Sequence, residues 1–146
     1  LSFSQAPFKF IAIGGQVLSS GAVYENYATY PEERKYLLDK IIEAKIEGVV
    51  FLDGDRHHTV LSKMYESEDV YPLYDLTCSS LTAGTNNDDE SYNKYSLKET
   101  LVSVNNFGML SITGPAKDRQ LSIKIFDKDG NELWKKLIKA NDLKYN

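Results

Sequence analysis

The fold of this chain is decided by the stretch GVVFLDGDRHHT, residues 48–59. Its first half, from Val49 to Leu52, is uniformly apolar, a pattern typical of a strand that is buried on both faces. The second half changes to aspartates, an arginine and two histidines, and these are the chain's only histidines. The stretch therefore predicts a buried strand that leads into a charged loop at its carboxyl end.

An earlier strand and a helix precede this stretch. Residues Phe8 to Ile13, FKFIAI, form a short apolar run that ends at two glycines, as a buried strand does. Residues 29–48, TYPEERKYLLDKIIEAKIEG, carry apolar residues at helical intervals. Thr29 and Glu32 have the spacing of a capping box, Pro31 lies in the first turn, and we expect Gly48 to end the helix.

Strand, helix and strand outline a crossover unit, whose two strands are parallel neighbours. In such sheets ligands bind just beyond the carboxyl ends of the strands. The loop of residues 53–58 occupies that position.

The second half of the chain has the pattern of hairpins. Residues 70–82 form an extended segment, and residues 83–99 are polar and acidic, typical of a mobile surface loop in which residues 88–90 are solvated. Residues 100–114 and 119–140 alternate with period two, with turn signals at Gly114 and Gly130 and a close backbone approach or bulge expected at Gly108. We predict an α/β chain of the α+β type, with residues 1–146 as a single unit. One mixed sheet joins the parallel crossover unit to the antiparallel hairpins.

Composition excludes several classes of function. The formal charge of −4 and the pI near 5.2 argue against binding along a nucleic-acid backbone, and no segment predicts a membrane span. The single cysteine, Cys78, excludes an internal disulfide framework and a four-cysteine zinc site. The chain begins without methionine or a signal-like segment, so we expect it to start within a longer polypeptide.

The charged loop carries the residues with chemistry to offer. Asp55 and His57 stand at alternate positions of an extended chain, so both project to one side and can converge on iron, manganese or zinc. His58 points the other way, and Arg56 either clamps phosphate or pairs with an acidic neighbour. The alternative is a solvated loop, because a motif this short often occurs by chance. In addition, two ligands alone cannot hold a binuclear metal centre.

Several segments in order resemble the C-terminal part of PhoD-like (alkaline-phosphatase-D-like) enzymes of the calcineurin-like metallophosphatase superfamily. The resemblance rests on YPEERKYLLDKI, GVVFLDGDRHHTVLS, YPLYDLTCSSLTAG, NNFGMLSITGP, a following arginine and GNELW, and it spans nearly the whole chain. It implies the C-terminal half of a four-layered α/β/β/α fold with two metals at the strand ends. Gly54-Asp55-Arg56-His57 is similar to the family's G-D-x-H motif.

By this resemblance, Asp55 ligates the second metal and His57 the first, drawn from iron, calcium, manganese or zinc. Arg56 and His58 are the candidate catalytic residues, with His58 either supporting a ligand from behind or lying at the edge of the substrate. The resemblance implies a periplasmic or extracellular enzyme that hydrolyses phosphomonoesters or phosphodiesters with a metal-bound hydroxide.

The family's earlier metal-binding motifs are absent from the sequence. We therefore expect a C-terminal portion that is inactive alone and has the N-terminal part of the same enzyme as its partner. The alternative is a non-catalytic, β-rich binding or interaction domain in which the DRHH loop is incidental or contacts a partner.

Overall fold

A computed structural model describes residues 1–145 of the chain. These residues form one α-helix and seven strands, joined by loops and three short 3₁₀ segments. In chain order the elements are β1 (Lys9–Ala12), α1 (Pro31–Glu43), β2 (Val49–Asp53), β3 (Val60–Met64), β4 (Leu73–Thr77), β5 (Asn106–Thr113), β6 (Gln120–Asp127) and β7 (Glu132–Lys139).

The first sheet has four strands in the order β1-β2-β4-β3. β1, β2 and β4 are parallel, and β3 returns antiparallel beside β4. The predicted crossover from β1 through α1 to β2 is confirmed. Because three parallel strands end at the same edge, the loops that follow them meet there.

The second sheet is separate and holds β5, β6 and β7 in antiparallel order. The predicted hairpins are therefore confirmed, but the prediction of one mixed sheet is wrong. The ladder stops at β3, beside which the chain forms isolated bridges, between Ser62 of β3 and Ser96 and between Thr59, just before β3, and Val102. Single bridges of this kind do not extend a sheet.

The two sheets share one hydrophobic core. Val49, Val50 and Phe51 of β2 are fully buried, as the uniformly apolar run predicts. Leu121, Ile123 and Ile125 of β6 are equally inaccessible and belong to the same cluster. Burial of apolar surface stabilises a fold by about 25 cal/mol per Å². It is therefore the main contribution that holds together the strands from which the loops extend.

Both ends of the helix differ from the prediction. Pro31 occupies the first helical position as expected, but the residue that caps the helix is Tyr30, which gives no side-chain cap. Thr29 donates its hydroxyl to the carbonyl of Tyr24 instead, so no capping box forms. The helix begins directly after a 3₁₀ turn, Tyr27–Thr29, which already fixes the chain's direction.

Gly48 does not end the helix. The helix stops at Glu43, and Lys45 takes the left-handed conformation with φ of 46°. Gly48, with φ of 72°, lies at the start of β2, where an added Cβ would be 2.2 Å from the carbonyl oxygen of Pro7. Glycine is needed there because β1 and β2 come together at that point.

Gly108 is approached closely, but by two side chains and not by another stretch of backbone. A Cβ built on Gly108 would lie 3.1 Å from Cδ1 of Ile125 and 3.2 Å from Sγ of Cys78. The bulge lies elsewhere, between Ile125 and Phe126 in the pairing of β6 with β7. At Gly108 the second sheet therefore packs against the segment that follows β4.

We expect Gly108→Ala to lower the free energy of unfolding by about 1 kcal/mol, because the added methyl group overfills the space between two side chains that can shift a little. Urea denaturation measures this. Gly84→Ala is the matched control, since a Cβ there meets nothing within 4 Å. Equal stability of the Gly108→Ala variant and the wild-type protein would contradict the argument.

Within residues 1–145, no helix combines the length and the apolar character needed to cross a bilayer.

Candidate metal centre

Three loops form an open cleft at the carboxyl edge of the parallel strands. Tyr24 and Glu25 come from the loop after β1, residues 55–57 from the loop after β2, and Thr85 and Asn86 from the loop after β4. The cleft has a volume of about 520 Å³. It brings the charged loop to the position that the strand order favours for a ligand.

The charged loop alternates between exposed and buried side chains. Asp55 and His57 are exposed, whereas Arg56 is 5% exposed and His58 is fully buried. The alternation agrees with the prediction, but the backbone is not extended. Asp55 and His57 both have positive φ, 66° and 59°, a conformation that is uncommon outside glycine. Strain of this kind costs about 1–3 kcal/mol per residue and clusters at functional sites.

The backbone of His57 is fixed on both sides. Its N–H donates to Oγ of Ser79 at 2.8 Å, and its carbonyl accepts from the N–H of Asn86 at 2.8 Å. Both partners belong to the segment that follows β4. The imidazole is therefore presented from a held backbone rather than from a free loop tip.

Arg56 is anchored beneath the loop. Its guanidinium donates to the carbonyl of Val23 at 3.1 Å and to Oδ2 of Asp88 at 3.3 Å, and it also donates to the hydroxyl of Tyr92. The ring of Tyr24 lies 4.6 Å from the guanidinium carbon. Of the two alternatives for Arg56, the contacts favour pairing with an acidic neighbour over clamping a phosphate.

His58 and Glu90 form a buried pair. Nε2 of His58 lies 2.8 Å from Oε1 of Glu90, and both side chains are fully inaccessible. Glu90 also accepts from Gln16 at 2.9 Å and from Asn93 at 3.0 Å. Burial alone would raise the pKa of Glu90, but hydrogen bonds from His58, Gln16 and Asn93 outweigh it and lower the pKa to about 2.

The expectation that residues 88–90 are solvated is wrong for Glu90. Only Asp89 of the three is exposed, and Asp88 is half-buried against Arg56. The acidic segment turns inward because the buried guanidinium of Arg56 and the buried imidazole of His58 need hydrogen-bond acceptors. A catalytic role for Arg56 and His58 stays a prediction, and their burial favours a supporting role.

Two further carboxyl groups come from the first sheet, since Asp53 is the last residue of β2 and Asp75 is the middle residue of β4. Oδ2 of Asp75 accepts from the N–H groups of Val17 and Leu18 at 2.8 and 2.7 Å, which anchors the loop after β1. Within residues 1–145, both carboxyl oxygens of Asp53 are buried without a hydrogen-bond partner. Burial, followed by the nearby charge of Asp75, raises the pKa of Asp53 well above its ordinary value. Asp53 is thus part of the support and not of the cleft surface.

The residues at the cleft fit part of a metal site. A carboxylate and an imidazole open onto one cleft, and both are ligands that iron, manganese and zinc accept. Among residues 1–145, no group of three or more histidine, cysteine or acidic side chains is placed to hold a metal. Asp55 and His57 can therefore each contribute one donor, and a complete site needs further ligands.

Sequence reasoning missed Asn86 and Asp75 in this region, and it placed Glu90 in solvent. Asn86 was not found because the sequence predicts residues 70–82 only as an extended segment, and it does not mark the loop that follows as the end of a parallel strand. Glu90 and Asp75 gave no signal, since nothing in a polar loop or an extended segment marks which carboxylate turns inward.

The family model for PhoD-like phosphatases matches residues 4–118, and the chain belongs to this family. A solved structure, described as the structure of PhoD, matches with a TM-score of 0.59 and 16% identity. The match covers 94% of this chain and 32% of that one, so the chain spans about a third of the length of that protein. At this identity the likeness shows the fold alone. A comparison with curated protein sequences gave no match.

Proposed function

We propose that this chain forms one side of the active site of a metal-dependent phosphoesterase, with Asp55 as a ligand of one metal ion and His57 as a ligand of another. The observation that carries the proposal is the pairing of these two exposed side chains on one cleft, at the strand ends of a PhoD-like chain. The substrates are phosphomonoesters or phosphodiesters. The location is periplasmic or extracellular.

When bound, a pair of metal ions drawn from iron, calcium, manganese and zinc supplies Lewis-acid stabilisation of phosphoryl charge and lowers the pKa of water to about 7. The chain's own residues position that chemistry. Asp55 and His57 both line the cleft, His57 from a backbone that hydrogen bonds hold on both sides. The buried Arg56 and His58 keep the loop in place through Asp88 and Glu90. Neither Arg56 nor His58 needs to touch the substrate in this arrangement.

The remaining ligands come from a preceding N-terminal part of a four-layered metallophosphatase fold. The 32% coverage of the PhoD structure supports this, and so does the surface of β5. β5 is an edge strand whose Leu110 and Ile112 are 36% and 46% exposed, although they pair with the buried Ile123 and Leu121. Apolar edge strands are normally covered in native proteins, and the missing part would cover this one.

The test compares two proteins, the 146-residue chain and the whole polypeptide that its gene encodes. We expect the whole polypeptide to retain metal after dialysis and to hydrolyse an aryl phosphate, and the 146-residue chain to do neither. Hydrogen exchange at β5 should also be slower in the whole polypeptide. Metal retention and rapid turnover by the 146-residue chain would contradict the division of ligands.

The alternative function, a non-catalytic binding domain, predicts a different result for the whole polypeptide. It expects no metal and no turnover in either protein. Metal analysis of the whole polypeptide therefore separates the two functions before any assay of substrate is run.

A further inference from the structure

Tyr24 is an exposed aromatic side chain at the candidate metal centre. It lines the same cleft as Asp55 and His57, and it is 68% exposed. Single exposed aromatics are common on protein surfaces and need no explanation by themselves. Two features of Tyr24 set it apart from such residues.

The first feature is its backbone. Tyr24 has φ of 58°, and for a bulky residue this conformation is a true outlier that costs of the order of 1–3 kcal/mol. Tyr24 adopts this conformation where it lines the cleft, next to Glu25. Strained residues of this kind persist only where the surroundings hold them, and they cluster at ligand clamps.

The second feature is the support of the ring. The guanidinium carbon of Arg56 lies 4.6 Å from the ring centroid, within the range of a cation–π interaction. Arg56 is itself 5% exposed and held by Val23 and Asp88. A fixed cation thus contacts the ring, while Tyr24 stays 68% exposed and lines the cleft.

We propose that Tyr24 is a specificity-determining residue that stacks on the organic part of the phosphoester, and that the preferred substrates carry an aromatic ring there. The inference rests on the proposed function, because it takes the phosphoryl group to lie beside Asp55 and His57. A rigid aromatic surface contributes about 0.5–1.5 kcal/mol to a ring that stacks on it, beyond the area buried. An alkyl phosphate gains no such stacking.

The first experiment measures binding by the whole encoded polypeptide, which the proposed function expects to hold metal, with Ca²⁺ present and at a low temperature at which phenyl phosphate is not hydrolysed during the titration. Tyrosine rings are labelled with ¹³C, the Tyr24 signal is assigned with Tyr24→Leu, and the protein is titrated with phenyl phosphate and separately with inorganic phosphate. We expect phenyl phosphate to shift the Tyr24 signal saturably and inorganic phosphate to leave it unchanged. Tyr24→Leu should weaken phenyl phosphate binding by about 3- to 10-fold, and Tyr24→Phe should bind as the wild-type protein does.

Tyr36→Leu is the matched control, since Tyr36 is 64% exposed and also has a cation beside its ring, Lys40 at 5.5 Å, but lies on α1. It should leave binding unchanged. A Tyr24 signal that phenyl phosphate does not move, or equal weakening by the Tyr24 and Tyr36 variants, would overturn the proposal. The result would then favour Tyr24 as a contact with another part of the enzyme.

The second experiment separates this inference from the proposed function. In the whole encoded polypeptide, Tyr24→Leu should lower kcat/KM for phenyl phosphate by about 3- to 10-fold and leave kcat/KM for methyl phosphate unchanged. Equal loss on both substrates would overturn the specificity role. If the wild-type polypeptide hydrolyses neither ester, the proposed function fails, and the binding titration still decides the role of Tyr24.

Discussion

Glycine in place of Asp55 or His57 will lower metal retention and phosphoester turnover of the encoded polypeptide by at least about 100-fold, while the free energy of unfolding stays within about 1 kcal/mol of the wild-type value. The change removes a proposed metal donor from a site that has few. It also relieves the backbone, because both residues have positive φ, which glycine adopts without strain. Function and folding therefore respond differently to the same substitution.

Alanine would be a poorer choice, because its Cβ keeps the strain of the left-handed conformation. Lys45→Gly is the matched control, since Lys45 is exposed, has φ of 46° and lies between α1 and β2, whereas the charged loop follows the other end of β2. It should relieve strain and leave metal content unchanged. The measurements are metal analysis after dialysis, aryl phosphate turnover and urea denaturation. Full metal content in both glycine variants would show that Asp55 and His57 are not ligands.

Much of the fold follows from periodicity in the sequence. The uniformly apolar run at Val49–Leu52 predicts a buried parallel strand, which holds for all but the half-buried Leu52. The alternation at Leu121, Ile123 and Ile125 predicts a hairpin strand with one face in the core. Both patterns depend only on which faces are buried. Whether the hairpins join the first sheet depends on long-range packing at the edge of β3, for which the sequence has no local signal.

The site divides in the same way. The DRHH loop can be found from the sequence because charged residues follow a buried strand, and their alternation is confirmed in the exposed Asp55 and His57. The support beneath them could not be found, because it depends on contacts across 32 residues of chain, such as that between His58 and Glu90. The local sequence predicts that an acidic loop is solvated. In this chain the loop turns partly inward, because buried residues of the charged loop pair with it.

Removal of the Glu90 side chain in Glu90→Ala will lower the free energy of unfolding by about 3–5 kcal/mol. The carboxylate is fully buried and accepts from His58, Gln16 and Asn93 at 2.8 to 3.0 Å. Without it, these donors stay buried with no acceptor in its place, and each unsatisfied group costs about 1–3 kcal/mol. Urea denaturation near neutral pH measures the loss.

Glu68→Ala is the control, because Glu68 is exposed and its loss should change stability by no more than about 0.5 kcal/mol. Glu90→Gln keeps the size and one acceptor oxygen but removes the charge, so it should fall between the wild-type protein and Glu90→Ala. A Glu90→Ala protein as stable as the Glu68→Ala protein would mean that water or a shifted side chain satisfies the donors.

The contribution of the Glu90 charge will also depend on pH, and its sign follows from the depressed pKa. Glu90 has a pKa of about 2 in the folded chain against an ordinary value of 4.5, so the unfolded chain binds the extra proton between these values. The stabilisation, on the order of 3 kcal/mol, is fully present above about pH 4.5 and is lost as the pH falls toward 2. The difference in stability between the wild-type protein and Glu90→Gln should therefore shrink across that range. A difference that stays constant from neutral pH to about pH 3 would show that the charge of Glu90 does not stabilise the support of the loop.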